Sequence, residues 1–264
     1  MTSTETLSQL EKERETAVVI NSTPISRISV IARNAFREAV RDRVLYNLVL
    51  FVLLIIAAAI FLGDLTDGQE ARTIVNFGLS AMLVFGAFIA TFVGVGLVSK
   101  EIERRTVFAI FAKPVARSEF IIGKYLGLCA TLAVNVAVMS VGISLALLYV
   151  GGGKFVTTIW ATIFLIFLEL TIITAVAILF SSFSGPVLSS LMTFFVFVIG
   201  HLSASLRDFA ESLGTASAKI SFNFLYYLLP NLSNFSFITI AAHGETPTTN
   251  QFVGATLYAL VYVS

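Results

Sequence analysis

Hydrophobic positions in this chain run in long blocks rather than in the two-residue or 3.6-residue rhythm of a half-buried strand or helix. Five blocks, 44–62, 77–98, 125–150, 155–180 and 186–206, each approach the length that carries a helix across a bilayer core, roughly 20 residues for about 30 Å at 1.5 Å per residue. A sixth, 252–264, reaches only about 20 Å at that rise, so it reads as a half-span or as a last span that is truncated. Within lipid the backbone must satisfy its own N–H and C=O groups, which predicts helix throughout. The expected fold class is therefore all-α, an integral membrane, polytopic bundle of six spans.

Ahead of the first block the pattern changes to an amphipathic one. Ile28, Ile31, Ala32, Ala35, Phe36, Ala39 and Val40 fall on one face of a helix, and Arg33, Arg37 and Arg41 form a basic row at every fourth residue. That combination predicts a helix lying in the membrane surface, apolar side to the acyl chains and arginines at the phosphates. A soluble amphipathic helix packed on a partner has the same signature. Residues 1–25 are polar and lack the short apolar core and small-residue cleavage site of a signal peptide, so they read as a disordered cytoplasmic tail.

Composition agrees with the blocks. Hydrophobic residues make up 57% of the 264 positions and charged ones 12%, about half the share in soluble domains. The net charge of +1 is uninformative, because position matters more than sum. With the N-terminus inside, Lys12, Arg14, Arg27, Arg33, Arg37, Arg41, Arg43, Lys100, Arg104, Arg105, Lys113, Arg117 and Lys124 are cytoplasmic, leaving Arg72, Lys154, Arg207 and Lys219 outside. This asymmetry sets the orientation, in a cell inner (plasma) membrane. Cys129 is the single cysteine and sits in an apolar block, so neither an intrachain disulfide nor a cysteine-based metal centre can form.

Two further features are structural. Gly86, Ala90 and Gly94 recur every fourth residue in the second block, the spacing that lets helices approach closely, within one chain or between two. The long outer segment 207–251 carries Phe222, Phe224, Tyr226 and Tyr227, an interfacial aromatic belt that fits short helices dipping into the outer leaflet.

The stretch 99–124 is the most heavily charged connection between adjacent blocks. Residues 101–111 can continue as helix past the membrane face until Pro114 ends or bends it. A second helix then restarts with Ser118 as a candidate cap and Lys124 near the membrane face. The product is a short helix across the cytoplasmic end of the bundle, its arginines and glutamates suited to a protein partner and Val107, Ile110 and Phe111 anchoring it. A solvated basic hairpin that only sets topology is the plainer reading.

Glu101, Glu103 and Thr106, then Lys113, Pro114, Val115 and Arg117, then Gly123 and Lys124 together resemble the first cytoplasmic loop of ABC-2 type transporter permeases. The basic helix before the first span, the six-span layout and the segment 227–235 extend the likeness over 26–264, which it implies is an ABC-2 type transmembrane domain. The family often has Gly directly before the Thr, where this sequence has Arg105. The resemblance implies a permease subunit of an ATP-driven exporter whose loop 99–124 is a coupling helix seated on a separate cytoplasmic ABC ATPase. Glu101, Glu103, Arg104, Arg105, Thr106, Lys113, Pro114 and Arg117 would then be the ATPase-coupling residues. It also implies a second permease copy or paralogue, and no nucleic-acid partner. Family cargo spans drugs, lipids, polysaccharides and peptides, and the loop resembles the branch serving copper-enzyme maturation and gliding machinery.

The chain lacks a G-x-x-x-x-G-K-[ST] loop, the nearest stretch at 151–155 having neither the spacing nor the hydroxyl. ATP and Mg are therefore expected on the partner subunit, with no cofactor, metal or catalytic residue on this one. Glu169 stands alone in the fourth block, and Thr158 and Thr162 fall within about 40° of it on a helix. A carboxylate at that depth costs about 2.5–3.5 kcal/mol on insertion scales, so the stripe faces either a transport pathway or a neighbouring helix. His201 and His243 form no ligand pair and are read as packing residues, and Asn47 and Asn135 as interhelical donors. A standalone secondary transporter or channel using Glu169 is the alternative function. An intramembrane enzyme would need a His, Asp or Cys cluster at the membrane face that the sequence does not hold.

Overall fold

A computed structural model describes residues 24–40, seven positions between 50 and 61, and 68–103, 116–202 and 229–263. The described residues are helical with short connections: α1 (Pro24–Ala39), α2 (Glu70–Glu103), α3 (Arg117–Tyr149), α4 (Gly153–Ser181), α5 (Pro186–His201), a 3₁₀ turn (Leu232–Phe235), α6 (Ile238–Ala242) and α7 (Thr249–Val263). Three segments, Glu70–Gly96, Arg117–Tyr149 and Gly153–Ser181, are long and apolar enough to cross a membrane, and Pro186–His201 and Leu232–Ala242 are shorter apolar segments. Helices α2 and α3 extend beyond their apolar blocks because the flanking charged residues favour helix once a turn has been nucleated.

Helix α4 is the central post. Ile159, Leu165, Ile166, Leu170 and Ile172 are fully buried, and α2, α3, α5 and α7 pack around it. The glycine stripe of α2 is used inside the chain. A Cβ at Gly86 would lie 2.5 Å from Leu170 Cδ1 and one at Gly94 would lie 3.0 Å from Ala177 Cβ, which also fixes α2 and α4 as parallel. Phe51, in the described part of the first block, is buried and meets Phe85 edge-on at 5.8 Å.

The outward surface is as apolar as the core. Val134, Val138, Val141, Leu145 and Leu148 are all exposed along α3 at helical spacing. Such a stripe would aggregate in water and is the ordinary lipid face of a spanning helix. At the far end Arg72 Nε donates to Ala242 O at 3.3 Å, and Asn231 N donates to Tyr258 Oη at 2.8 Å. Leu232 and Phe235 are buried, and Gly200 leaves room for Leu232, since a Cβ there would lie 2.8 Å from Leu232 Cγ. In the segment 207–251 the described part thus forms a 3₁₀ turn and one short helix capping the bundle. Phe222, Phe224, Tyr226 and Tyr227 lie outside the described residues.

The N-terminal helix refines two expectations. It begins at Pro24, within the segment read as tail. The apolar face assigned to acyl chains is partly covered by protein: Ala35 and Ala39 are fully buried, Ile28, Ile31, Ala32, Phe36 and Val40 are half-buried, and α1 packs on the start of α3. A face of that composition suits lipid or another helix equally, so periodicity alone could not name its partner.

Candidate functional site

The first candidate region is the loop-bearing end of the bundle, where α2 stops and α3 starts. Helix α2 runs unbroken through Glu101 and Glu103, as the sequence predicts, and α3 resumes at Arg117, which is exposed. Arg104, Arg105, Thr106, Lys113 and Pro114 lie outside the described residues. The cap of α3 is not Ser118 but Ala116. Alanine has no side-chain acceptor, so the turn is closed from the other side, with Ala116 N donating to Glu119 Oε2 at 3.2 Å. Ser118 falls inside the first turn instead, because Glu119 can reach back only from the third helical position.

Helix α1 braces this end of α3. A Cβ at Gly123 would lie 2.7 Å from Ile31 Cβ, and one at Gly127 would lie 2.5 Å from Ala32 O. The pair Gly123-x-x-x-Gly127 is thus a groove in which the α1 backbone lies. Two ion pairs flank it, Arg27 Nη1 to Glu119 Oε2 at 3.4 Å and Lys124 Nζ to Glu38 Oε2 at 3.6 Å. Lys124, expected near the membrane face, is 4% exposed and stands 5.8 Å from the Phe120 ring centroid. Exposed pairs of this kind contribute about 0–1 kcal/mol; the half-exposed Glu38 carboxylate places the second near that class, while the glycine contact sets the geometry. Arg33 and Arg37 remain exposed on the opposite face of α1.

The second candidate region is the stripe on α4. Thr162 and Glu169 point into the bundle at 0% exposure, while Thr158 is half-buried and its hydroxyl donates to Phe155 O at 3.0 Å. Glu169 Oε1 lies 3.3 Å from His201 Nδ1, at the end of α5. The contact is close without hydrogen-bond geometry, and Thr162 Oγ1 and Asn135 Oδ1 are buried polar atoms that also lack a partner. Asn135 Nδ2 bonds within its own helix, to Thr131 O at 2.8 Å, rather than across helices as the sequence suggested. The stripe therefore ties α4 to α5 through one acid and one imidazole. Read from sequence, His201 was a packing residue; counting from the α4–α5 turn would have found it, since Glu169 and His201 lie about 18 Å and about 22 Å along their helices from that turn. His243, by contrast, is exposed and its Nδ1 lies 2.7 Å from Thr239 O.

Among the described residues no cluster of three or more His, Cys, Asp or Glu is placed to hold a metal ion. The described residues form a membrane bundle with a braced helical stalk at one end and a buried acid–imidazole contact inside it. A comparison with curated proteins gives no match. Residues 29–253 match the family described as ABC-2 family transporter protein. With most of its length matched and its spanning helices packed around α4, the chain belongs to the ABC-2 transporter family as a multi-pass membrane permease.

Proposed function

We propose that this chain is the permease subunit of an ATP-driven exporter, coupled through 99–124 to a separate cytoplasmic ATPase that carries ATP and Mg. The observation that carries the reading is mechanical. The loop is suspended between α2 and α3, two continuous helices that run into the core around α4, and α3 is locked to α1 at Gly123 and Gly127. A push on the loop is therefore delivered to three helices together, which suits transmission of domain closure to the spans. Six spans, a cytoplasmic N-terminus, an inner-membrane location and pairing with a second copy or paralogue complete the proposal. The contact of Glu169 with His201 supports a part in holding the wall together, with Thr158 and Thr162 on the same helix.

Charge reversal at Arg104 and Arg105 tests the docking role. In the assembled transporter, Arg104→Glu with Arg105→Glu is expected to reduce the ATPase retained on the purified permease by about tenfold or more, since like charges facing across an interface cost several kcal/mol. Remaining ATP hydrolysis should be uncoupled from transport, and thermal unfolding of the permease should be unchanged. Full retention with normal coupling would remove both arginines from the interface.

A further inference from the structure

Two cavities at the joint of α2 and α5 differ in character and meet at one residue. The first, about 570 Å³, is an open groove between the two helices walled by Phe88, Phe92, Val95, Leu191 and Phe194. The second, about 280 Å³, lies at the loop-bearing end and is lined by Ser99, Ser181, Ser182, Ser184 and Gly185, with Phe183 beside them. Pro186 lines both, so a polar chamber opens at the end of an apolar trough.

The polar chamber offers donors without a carboxylate among its lining residues. It sits at the N-terminus of α5, a 16-residue helix. Pro186 at the first helical position brings no N–H. The first-turn donors without an intrahelical acceptor are therefore those of Val187 and Leu188, at the positive end of the helix dipole, and the N-cap Gly185 supplies no side-chain oxygen to them. An independent donor comes from α2: Ser99 is 4% exposed and its hydroxyl has no hydrogen-bond partner. The other serines already bond to carbonyls, Ser181 to Ile178 O, Ser182 to Leu179 O and Ser184 to Phe180 O. A buried hydroxyl without a partner is destabilising and calls for something to complete it.

We infer that this joint holds a resident phospholipid from the leaflet on the loop-bearing side. Its phosphate lies at Ser99 and the α5 N-terminus, and one acyl chain lies in the α2–α5 groove. An amphiphile satisfies both cavities at once. A free phosphate would leave the groove to bulk lipid, and a bare acyl chain would leave Ser99 unpartnered. The inference needs the chain to be in a bilayer and does not depend on ATPase docking, so the two fail separately.

The glycines allow tests that spare the fold, because a Cβ at Gly185 or at Gly96, which lines the groove, meets no atom within 4 Å. Gly185→Asp caps α5 well but sets a carboxylate where the phosphate would lie, and Gly185→Ser is the matched neutral cap. Gly96→Leu fills the trough. Each protein is reconstituted in nanodiscs of palmitoyl-oleoyl phosphatidylglycerol and extracted into detergent, and native mass spectrometry counts the phospholipid retained. Wild type and Gly185→Ser should retain lipid, while Gly185→Asp and Gly96→Leu should lower it by about tenfold, with thermal unfolding no lower than wild type. Retention by Gly185→Asp at the wild-type level would overturn the inference. So would loss in Gly185→Asp alone, with inorganic phosphate displacing the lipid and Gly96→Leu retaining it, the mark of a small-anion site.

Discussion

Replacing His201 with leucine is expected to destabilise the bundle by about 1–3 kcal/mol, while replacing Glu169 and His201 together with leucine should cost less. The reasoning starts from burial. Glu169 is fully enclosed, and His201 Nδ1, 3.3 Å from Oε1, is the ionisable group facing it from α5. Taking away one member of a buried polar pair leaves the other facing an apolar wall, at about 1–3 kcal/mol for an unsatisfied polar group. Well-packed apolar residues in place of both are often neutral or stabilising, and the lipid setting penalises a lone carboxylate by about 2.5–3.5 kcal/mol. The single change at Glu169 should be milder than that at His201, since an imidazole that is a quarter exposed can remain neutral. Thermal unfolding of the four proteins in nanodiscs forms a double-mutant cycle. A strong non-additive term is expected, and additive single effects would show that the contact between α4 and α5 is incidental.

The other large effect is expected at Gly127. Any side chain there places its Cβ 2.5 Å from Ala32 O, 2.6 Å from Ala35 Cβ and 3.1 Å from Phe36 N. Two of those atoms are backbone, so no rotamer change in α1 relieves the clash and the helices must separate. Gly127→Leu should therefore lose about 1–3 kcal/mol or more and free α1 from α3. Gly153→Ala, where a Cβ meets nothing within 4 Å, is the matched control and should be unchanged or slightly stabilised. Trypsin reports the local event: Arg33 and Arg37 are exposed on a docked helix, and cleavage there should accelerate in Gly127→Leu. Equal cleavage rates would mean that α1 does not depend on the glycine groove. Detachment also removes the Glu38 partner from Lys124, and under the proposed docking of 99–124 on an ATPase, coupling should weaken with that loop intact.

What the sequence revealed, and what it hid, follows from how local each signal is. The apolar blocks at 77–98, 125–150 and 155–180 fall inside α2, α3 and α4 but for Val150, the C-cap of α3, since backbone self-satisfaction in lipid leaves little choice of structure. The spacing of Gly86, Ala90 and Gly94 announced a close approach, and only three-dimensional contact could assign it to α4 rather than to another copy. Gly123 and Gly127 have the same spacing, yet they sit beside charged residues in the loop motif, where the pattern of family-like residues masked the packing signal. The cap at Ala116 was invisible because its hydrogen bond comes from Glu119, three residues on. His201 required pairing two helices across a turn, information that no single window of sequence contains. Glu169 was legible because a lone carboxylate in an apolar block has no bland local explanation, whereas an imidazole near a helix end has several.

Co-purification from native membranes tests the central claim most directly. The tagged chain is extracted in mild detergent and its companions are identified and counted by mass spectrometry. The account predicts a P-loop ATPase at a stoichiometric level, released by reversing Arg104 and Arg105 while the permease stays folded. Recovery of the chain alone at full yield, still folded and able to transport without an ATPase, would contradict it.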